Sequence, residues 1–251
     1  MAKINLNDKV VLVAGGAKNL GGLISREVAK LGAKVVVHYN SNSTQTAAEE
    51  TVQAVKDLGT DAFSIQLDLT PAANNEELFK AVKEKFGRVD VAINTAGMVL
   101  KKPFAETTEE EFDTMSAINS KVAYFFIKEA GKALENDGKI ISIATSLLGA
   151  YTGLYSTYAG GKAPVEHYTR AASKEFGERG ISVTTIAPGP MDTPFFYGQE
   201  SDDAVAYHKS ASALGGLTQI EDIVPIVIFL ATDGWWITGQ TILANGGYTT
   251  K

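Results

Sequence analysis

The chain has 251 residues, near the upper size for one hydrophobic core, and its 45% hydrophobic and 21% charged residues are the balance of a folded domain, not of a disordered chain. Its 23 Lys and Arg against 29 Asp and Glu leave a net charge of −6, which disfavours nucleic-acid binding and attachment to acidic membranes, since both draw on clustered positive charge. Cysteine is absent, which rules out disulfides, thiolate zinc sites and iron–sulfur clusters.

From the amino terminus, the first apolar run spans 10–13 and breaks at once into Gly15 and Gly16, too short for the apolar core of a secretory signal. The longest apolar stretch, 223–231, is also well short of the roughly 18 residues of a membrane span, so no membrane partner and a cytoplasmic location are expected. Runs of consecutive β-branched residues recur at 35–37, 89–93, 140–143 and 181–186, with weaker ones at 65–67 and 241–243. Consecutive apolar residues, as opposed to alternating ones, mark strands covered on both faces. Between them, helical periodicity spans 20–31, 44–58, 74–86, 109–134, 156–176 and 220–230. The alternation predicts an α/β fold, a Rossmann-type doubly wound parallel sheet of about seven strands with helices on both faces. No linker, repeat or charge block divides the chain, so a single domain over 1–251 is expected. The segment 190–217 departs from the pattern, with Pro190, Pro194, three adjacent aromatics at Phe195, Phe196 and Tyr197, and the pair Gly215-Gly216. It is read as an irregular substrate lid, without a strand or long helix, hinged at the glycine pair.

The first strand leads into Ala14-Gly15-Gly16-Ala17-Lys18-Asn19-Leu20-Gly21-Gly22 and then a helix. Strand, glycine turn and helix in that order suit a dinucleotide. Glycines let the backbone approach a pyrophosphate, and the free amides at the helix start stabilise its charge. Gly15, Ala17, Lys18, Asn19 and Leu20 are therefore candidate cofactor contacts. At the end of the next strand, where such folds read the adenosine ribose, stand His38, Asn40 and Ser41, with no carboxylate before Glu49. An acid there would bind a free 2′-hydroxyl and repel a 2′-phosphate. Its absence, together with the positive charge of Lys18, predicts NADPH/NADP+ in preference to NADH.

Through these residues the chain resembles the short-chain dehydrogenase/reductase family along essentially its whole length, and in particular the NADPH-dependent branch with the 3-oxoacyl reductases and pteridine reductases. The family's turn, T-G-x-x-x-G-x-G, is similar to 14–21, with Ala14 for the threonine and Asn19 for the middle glycine. The resemblance implies an adenine contact from Asp68, flanked by Leu69, and a cofactor-holding strand end at Asn94, Ala96 and Gly97, where Thr95 replaces the family's second asparagine. It also implies nicotinamide contacts from Pro188, Gly189, Met191 and Thr193. Toward the carboxyl end, 237–240 and 245–247 are similar to the family's last strand, with Asn245 for the usual aspartate.

Tyr158 and Lys162 lie four residues apart on a predicted helix, which puts phenol and ammonium on one face. An ammonium about 5 Å away at an effective dielectric of about 20 favours the phenolate by roughly 3 kcal/mol, on the order of two pKa units. Tyr155 has Ala159 at the matching position and lacks that partner. The resemblance implies that Tyr158 is the acid/base and that Lys162 lowers its pKa and binds the nicotinamide ribose. It implies that Ser146 polarises the substrate oxygen, with Thr145 an alternative because serine-to-tyrosine spacing varies by a residue. It further implies that Asn119 kinks a long helix and holds a water in a proton relay to Lys162. The implied reaction is hydride transfer between nicotinamide and a ketone or secondary alcohol. Rival readings are a 3-oxoacyl-thioester (ACP or CoA) reductase and a non-catalytic NADP-binding sensor, and the intact set of Asn119, Ser146, Tyr158 and Lys162 speaks against the sensor. No metal site is expected, because His38, His167 and His208 are scattered and read as surface or packed residues. The expected partner is a small-molecule carbonyl or alcohol. The family implies a homotetramer, and small residues on the Tyr158 helix permit close helix approach.

Overall fold

The computed structural model describes residues 5–250; the expected domain, 1–251, reaches past them at 1–4 and 251, which lie outside the described residues. Seven strands form one parallel sheet: β1 (Val10–Ala14), β2 (Lys34–Tyr39), β3 (Ala62–Gln66), β4 (Val91–Asn94), β5 (Lys139–Ile143), β6 (Ser182–Pro188) and β7 (Thr241–Ala244), in the order β3-β2-β1-β4-β5-β6-β7. The chain winds outward from β1 in one direction and from β4 in the other. Their carboxyl ends, in register at Ala14 and Asn94, open a crevice at the switch point, where open α/β sheets bind ligands.

The helices are α1 (Asn19–Lys30), α2 (Gln45–Asp57), α3 (Ala72–Phe86), α4 (Glu109–Ser116), α5 (Val122–Ala133), α6 (Ser156–Phe176), α7 (Pro194–Tyr197), α8 (Asp202–Ala211) and α9 (Ile220–Ala231). Side chains of β1 alternate between two cores. Val11 and Val13 pack in a layer with Ile24 and Val28 of α1 and with Ile223 and Val227 of α9. Val10 and Leu12 pack in the other, with Leu78 and Val82 of α3 and with Phe126 and Ile127 of α5. Because both faces are covered, every position of the strand is apolar, and this is the origin of the consecutive runs. The edge strand β3 is mostly half-buried, carries no such run and starts three residues before the stretch its apolar residues mark.

Two expectations change. The helix expected over 109–134 is α4, a π-helical turn at Ala117–Lys121 and α5. Its start is fixed by a capping box in which the Thr108 hydroxyl accepts from the Glu111 amide (3.2 Å) and the Glu111 carboxylate from the Thr108 amide (2.8 Å). The segment 190–217, expected to hold no strand or long helix, contains the four-residue α7 and the ten-residue α8. The Ser201 hydroxyl accepts from the Ala204 amide, and Asp202 and Asp203 occupy the first turn of α8, but the helix buries no residue and so shows no apolar stripe. The segment leaves and rejoins the body at one place, where the Asp192 amide donates to the Thr218 carbonyl (2.9 Å) and the Thr218 amide to the Pro190 carbonyl (2.9 Å). Gly215 and Gly216, with φ of +76° and +82°, lie just before that junction. Among the described residues, no helix is long and apolar enough to cross a membrane.

Candidate active site

The turn after β1 is close-packed around its glycines. Gly15 has φ +73°, and a Cβ on Gly21 would stand 2.1 Å from the Gly15 carbonyl oxygen, so only glycine lets the first turn of α1 fold against the loop. Asn19, which stands where the family has its middle glycine, has φ +49°, a left-handed conformation that asparagine adopts more readily than most side chains. The other two departures, Ala14 and Thr95, meet: the Thr95 hydroxyl donates to the Ala14 carbonyl (2.8 Å).

From this turn a groove of about 400 Å³ runs along the strand ends. Gly15, Ala17, Lys18, Asn19, Leu20, His38, Asn40, Asp68 and Leu69 line it, together with Ala96, Gly97, Tyr158, Lys162, Met191 and Thr193. Lys18 and Asn40 are exposed at the rim. His38 borders the groove as a strut: it is 2% exposed, its Nδ1 accepts from the Gly15 amide (3.2 Å) and its Nε2 donates to the Leu67 carbonyl (2.8 Å). Those partners fix the neutral tautomer, and burial lowers its pKa to about 4. The Ser41 hydroxyl is paired with that of Ser43 (2.9 Å), and Thr44 takes a place on the wall. Asn94 is buried behind the groove and accepts from the Ala96 amide (3.0 Å), shaping the turn that presents Ala96 and Gly97. Sequence reasoning missed Tyr39, Thr44, Thr70, Ile118 and Val122 on this wall. Tyr39 and Thr44 flank the strand end it singled out, Ile118 lies in the π-turn and Val122 directly follows it.

Lys162, buried one turn beyond Tyr158 on α6, donates through Nζ to the carbonyls of Ile143 (3.0 Å) and Ala96 (3.2 Å). Burial lowers its pKa to about 8. Gly97 packs over both Lys162 and Asn119; a Cβ there would come 3.0 Å from Lys162 Nζ and 3.2 Å from Asn119 Oδ1. Asn119 sits in the π-turn, fully buried, with Nδ2 donating to the Met98 carbonyl (2.9 Å) and the Met115 carbonyl (3.1 Å) and Oδ1 accepting from the Met98 amide (3.2 Å). Its bond to Met115, one turn back, competes with the helical ladder, and the expected kink takes the form of this widened turn.

The Tyr158 phenol behaves differently from the expectation that Lys162 lowers its pKa. Burial pushes it up to about 12, opposed by a hydrogen bond with the Thr145 side chain. The Lys162 ammonium is committed to two carbonyls and is itself disfavoured by burial, so desolvation dominates both groups. Ser146 is buried, with its hydroxyl donating to the Ala187 carbonyl (3.0 Å) and accepting from Asn245 Nδ2 (2.9 Å). Its hydrogen is thus spent on β6, and the hydroxyl that meets Tyr158 is that of Thr145.

A second cavity, of about 90 Å³, meets the groove at Ala144, Tyr158, Met191, Thr193 and Phe195. Pro188 and Gly189 line this cavity and not the groove. The Phe195 ring lies 6.3 Å from that of Tyr158, and Phe196 lies 5.4 Å from His208. Behind the wall, the fully buried carboxylate of Glu200 accepts from the Tyr155 phenol and from Lys101 Nζ (2.5 Å). Burial and that carboxylate push the Tyr155 phenol well above its ordinary range, which keeps it protonated. His208, read from the sequence as a surface or packed residue, has Nε2 3.6 Å from Glu200 and Nδ1 2.8 Å from the Tyr248 hydroxyl. No sequence pattern joins Lys101, Tyr155, Glu200, His208 and Tyr248, because they come from four separate stretches of the chain, with only Glu200 and His208 sharing one.

A family profile described as enoyl-(acyl carrier protein) reductase matches residues 15–249. A short-chain type dehydrogenase/reductase of Picea abies is 33% identical over 253 residues, covering 96% of this chain and 93% of that protein. A hydroxynaphthalene reductase-like protein of Metarhizium majus is 34% identical over 268 residues, covering 98% and 97%. The crystal structure of a Burkholderia cenocepacia protein assigned as a dehydrogenase, with bound NADP, matches with a TM-score of 0.97 at 62% identity, covering 100% of this chain and 97% of that one. With nearly the full length matched in each comparison and the strand–glycine turn–helix crevice in place, the chain belongs to the short-chain dehydrogenase/reductase family of oxidoreductases.

Proposed function

We propose that the protein is an NADPH-dependent carbonyl reductase interconverting a ketone and a secondary alcohol. The observation that carries this reading is the meeting of a long groove and a small cavity at one phenol, Tyr158, with a buried lysine one turn away. The groove suits a dinucleotide phosphate: its glycine turn leaves no room for a Cβ, it opens on the start of α1, Lys18 and Asn40 stand exposed at the rim, and β2 itself ends in no carboxylate that would repel a 2′-phosphate. The NADP held by the Burkholderia relative supports the same choice. When bound, this cofactor supplies the hydride in reduction and takes it in oxidation.

The turn at Gly15, Ala17, Asn19 and Leu20 holds the pyrophosphate, Lys18, Asn40 and Ser41 the 2′-phosphate, and Asp68 and Leu69 the adenine. Ala96, Gly97, Pro188, Gly189, Met191 and Thr193 flank the nicotinamide, with Asn94 and His38 shaping the wall behind. Tyr158 keeps its proton through the neutral range and delivers it to the carbonyl oxygen during reduction. Thr145, whose hydroxyl is hydrogen-bonded to the Tyr158 phenol, turns that one hydrogen to the carbonyl oxygen when the substrate takes its place, while Ser146 buttresses the strand end. Lys162, near 8, exchanges protons close to neutrality and binds the ribose, and Asn119 fixes the backbone at Met98 beside it. The 190–217 segment is a lid over the substrate. Exposed Phe112 and Tyr124 on α4 and α5, with Phe229 on α9 and Trp235 and Trp236 just beyond it, are apolar surface that a homotetramer would cover.

A ketone panel assayed with both cofactors tests the reading. At least tenfold higher kcat/KM with NADPH than with NADH is expected. Equal efficiency overturns the cofactor assignment, and absence of turnover across the panel overturns the reaction. Thr145→Ala should lower kcat by at least about tenfold, as loss of a donor to developing charge does, while Ser146→Ala should act mainly on stability.

A further inference from the structure

Resting on the reductase reading above, we propose that the wall of the small cavity around Tyr155 and Tyr248 is a subsite for a hydroxyl group of the substrate, so that the preferred substrates are hydroxyketones and not simple ketones. The argument is an account of hydrogens. The buried carboxylate of Glu200 is ion-paired with Lys101 Nζ (2.5 Å) and acts in this cluster as the acceptor. The phenolic hydrogen of Tyr155 is given to it, pointing out of the cavity into the wall. His208 Nε2 faces the same carboxylate at 3.6 Å. Burial lowers the pKa of this histidine, so it is neutral and carries one ring hydrogen, which the acceptor in front of Nε2 holds there. Nδ1 is then the acceptor, and the Tyr248 hydroxyl, 2.8 Å away, must give its hydrogen to it.

Both phenols therefore line the cavity with their hydrogens already spent, and each offers it oxygen lone pairs. Gln199, on the same wall, has its side-chain carbonyl engaged by the Lys101 amide (3.1 Å), which leaves its NH2. A hydroxyl satisfies such a wall, giving its hydrogen to a phenol oxygen and accepting from an amide. An alkyl group leaves the wall unpaired, and an ether or ketone oxygen has nothing to donate. The opposite end has the other polarity, because Tyr158 and Thr145 there offer donors to the reacting carbonyl. The Tyr155 and Tyr158 rings lie 6.4 Å apart, a separation that suits a hydroxyl one or two carbons from the carbonyl. A site built to hydrogen-bond a substrate hydroxyl rejects the analogue lacking it, because its own buried polar groups are left unpaired.

The test compares 1-hydroxybutan-2-one with its isostere pentan-3-one and its methyl ether 1-methoxybutan-2-one, and 4-hydroxybutan-2-one with pentan-2-one, by NADPH oxidation. At least one hydroxyketone should exceed its isostere by tenfold or more in kcat/KM, and the methyl ether should fall with the isosteres. In Tyr248→Phe and Tyr155→Phe the ratio of hydroxyketone to isostere should drop below threefold, whatever the absolute rate. If either variant fails to fold, the hydroxyl against methoxyl comparison in the unaltered protein still decides. Ratios within threefold in the unaltered protein overturn the subsite and leave the reductase reading standing. If no ketone is turned over, the reductase reading falls, and calorimetric binding of the same compounds to the NADP+-loaded protein decides the subsite. A tenfold preference for a hydroxyketone supports it, and equal or undetectable binding overturns it.

Discussion

The groove and the small cavity share the Tyr158 ring but are assembled by opposite means. Around the groove, much of the work falls to backbone: glycines at 15 and 21 that admit no Cβ, amides at the start of α1, and carbonyls of Ala96 and Ile143 that hold Lys162. They lie in the first turn of α1 or at the ends of β1, β4 and β5, which the sheet register aligns. Around the cavity, side chains do the work, and the pairs span 99 residues from Lys101 to Glu200, 45 from Tyr155 to Glu200 and 40 from His208 to Tyr248. A surface built from backbone tolerates side-chain exchange as long as the glycines remain. One built from interlocked side chains can change its specificity quickly, yet each member depends on the others.

Substitutions on either side, and at the seam, sharpen or break this contrast. The largest effect belongs to the seam: Tyr158→Phe should lower kcat by about 10²–10⁴ while NADPH affinity measured by fluorescence titration stays within about threefold, since a proton donor is lost but little volume. Retention of more than about a tenth of the parent rate would move the proton donor elsewhere.

On the groove side, His38 links the turn to β3 through backbone partners alone, and its protonation should be felt by the whole fold. Its pKa falls from 6.5 in the unfolded chain to about 4 in the folded one. Stability is therefore complete above pH 6.5 and is lost as pH falls toward 4, by about 3 kcal/mol in all. Urea unfolding at a series of pH values should show this slope in the parent and a shallower one in His38→Asn. Identical slopes would mean that other groups cause the acid loss.

Lys18→Ala should weaken NADPH binding by roughly tenfold and NADH by less than about twofold, the lower end of a hydrogen bond to a charged group because the lysine is exposed. A parallel loss for both cofactors would remove the lysine from the 2′-phosphate. The smallest effects are expected on the cavity side, where Phe195→Ala loses an aromatic contact to Tyr158 and Phe196→Ala loses contacts to Tyr197 and His208. About two- to tenfold changes in KM, differing between ketones, should accompany a melting temperature lowered by no more than a few degrees. A large stability loss with an unchanged substrate ranking would make these rings packing residues and not a lid.

The same contrast governs what the sequence discloses. The sheet was readable because two-sided burial writes the inner strands as runs with apolar, mostly β-branched residues at adjacent positions, and β3 was blurred because an edge strand is not buried on both sides. The groove was readable for a related reason, since a glycine that must lack a Cβ is itself a sequence signal. The two helices of 190–217 were not read, because α8 buries nothing and its only marks are Ser201, Asp202 and Asp203 at the start, a capping signal that could have located it. The choice between Thr145 and Ser146 turns on which hydroxyl faces β6, and neighbouring residues with the same functional group do not reveal that in their order. The Glu200 cluster was invisible because nothing in a linear chain tells a buried glutamate from the many solvated ones.

The widened turn at Ala117–Lys121 has a further consequence, which concerns helix phase. A π-turn holds one residue more than an α-turn, so it delays α5 relative to α4 by one step of about 100°. Deleting a single residue there would restore an even pitch and lengthen the run of regular hydrogen bonds. The face of α5 that carries Phe126, Ile127 and Ala130 is locked in the core, so the rotation would fall on the upstream half. Met115, now fully buried, would swing toward solvent, and Asn119 would turn away from Gly97 and Met98. A change that makes the helix more ideal by every local measure would thereby take its only buried asparagine out of the active site, and a one-residue insertion elsewhere in α4 could not put it back.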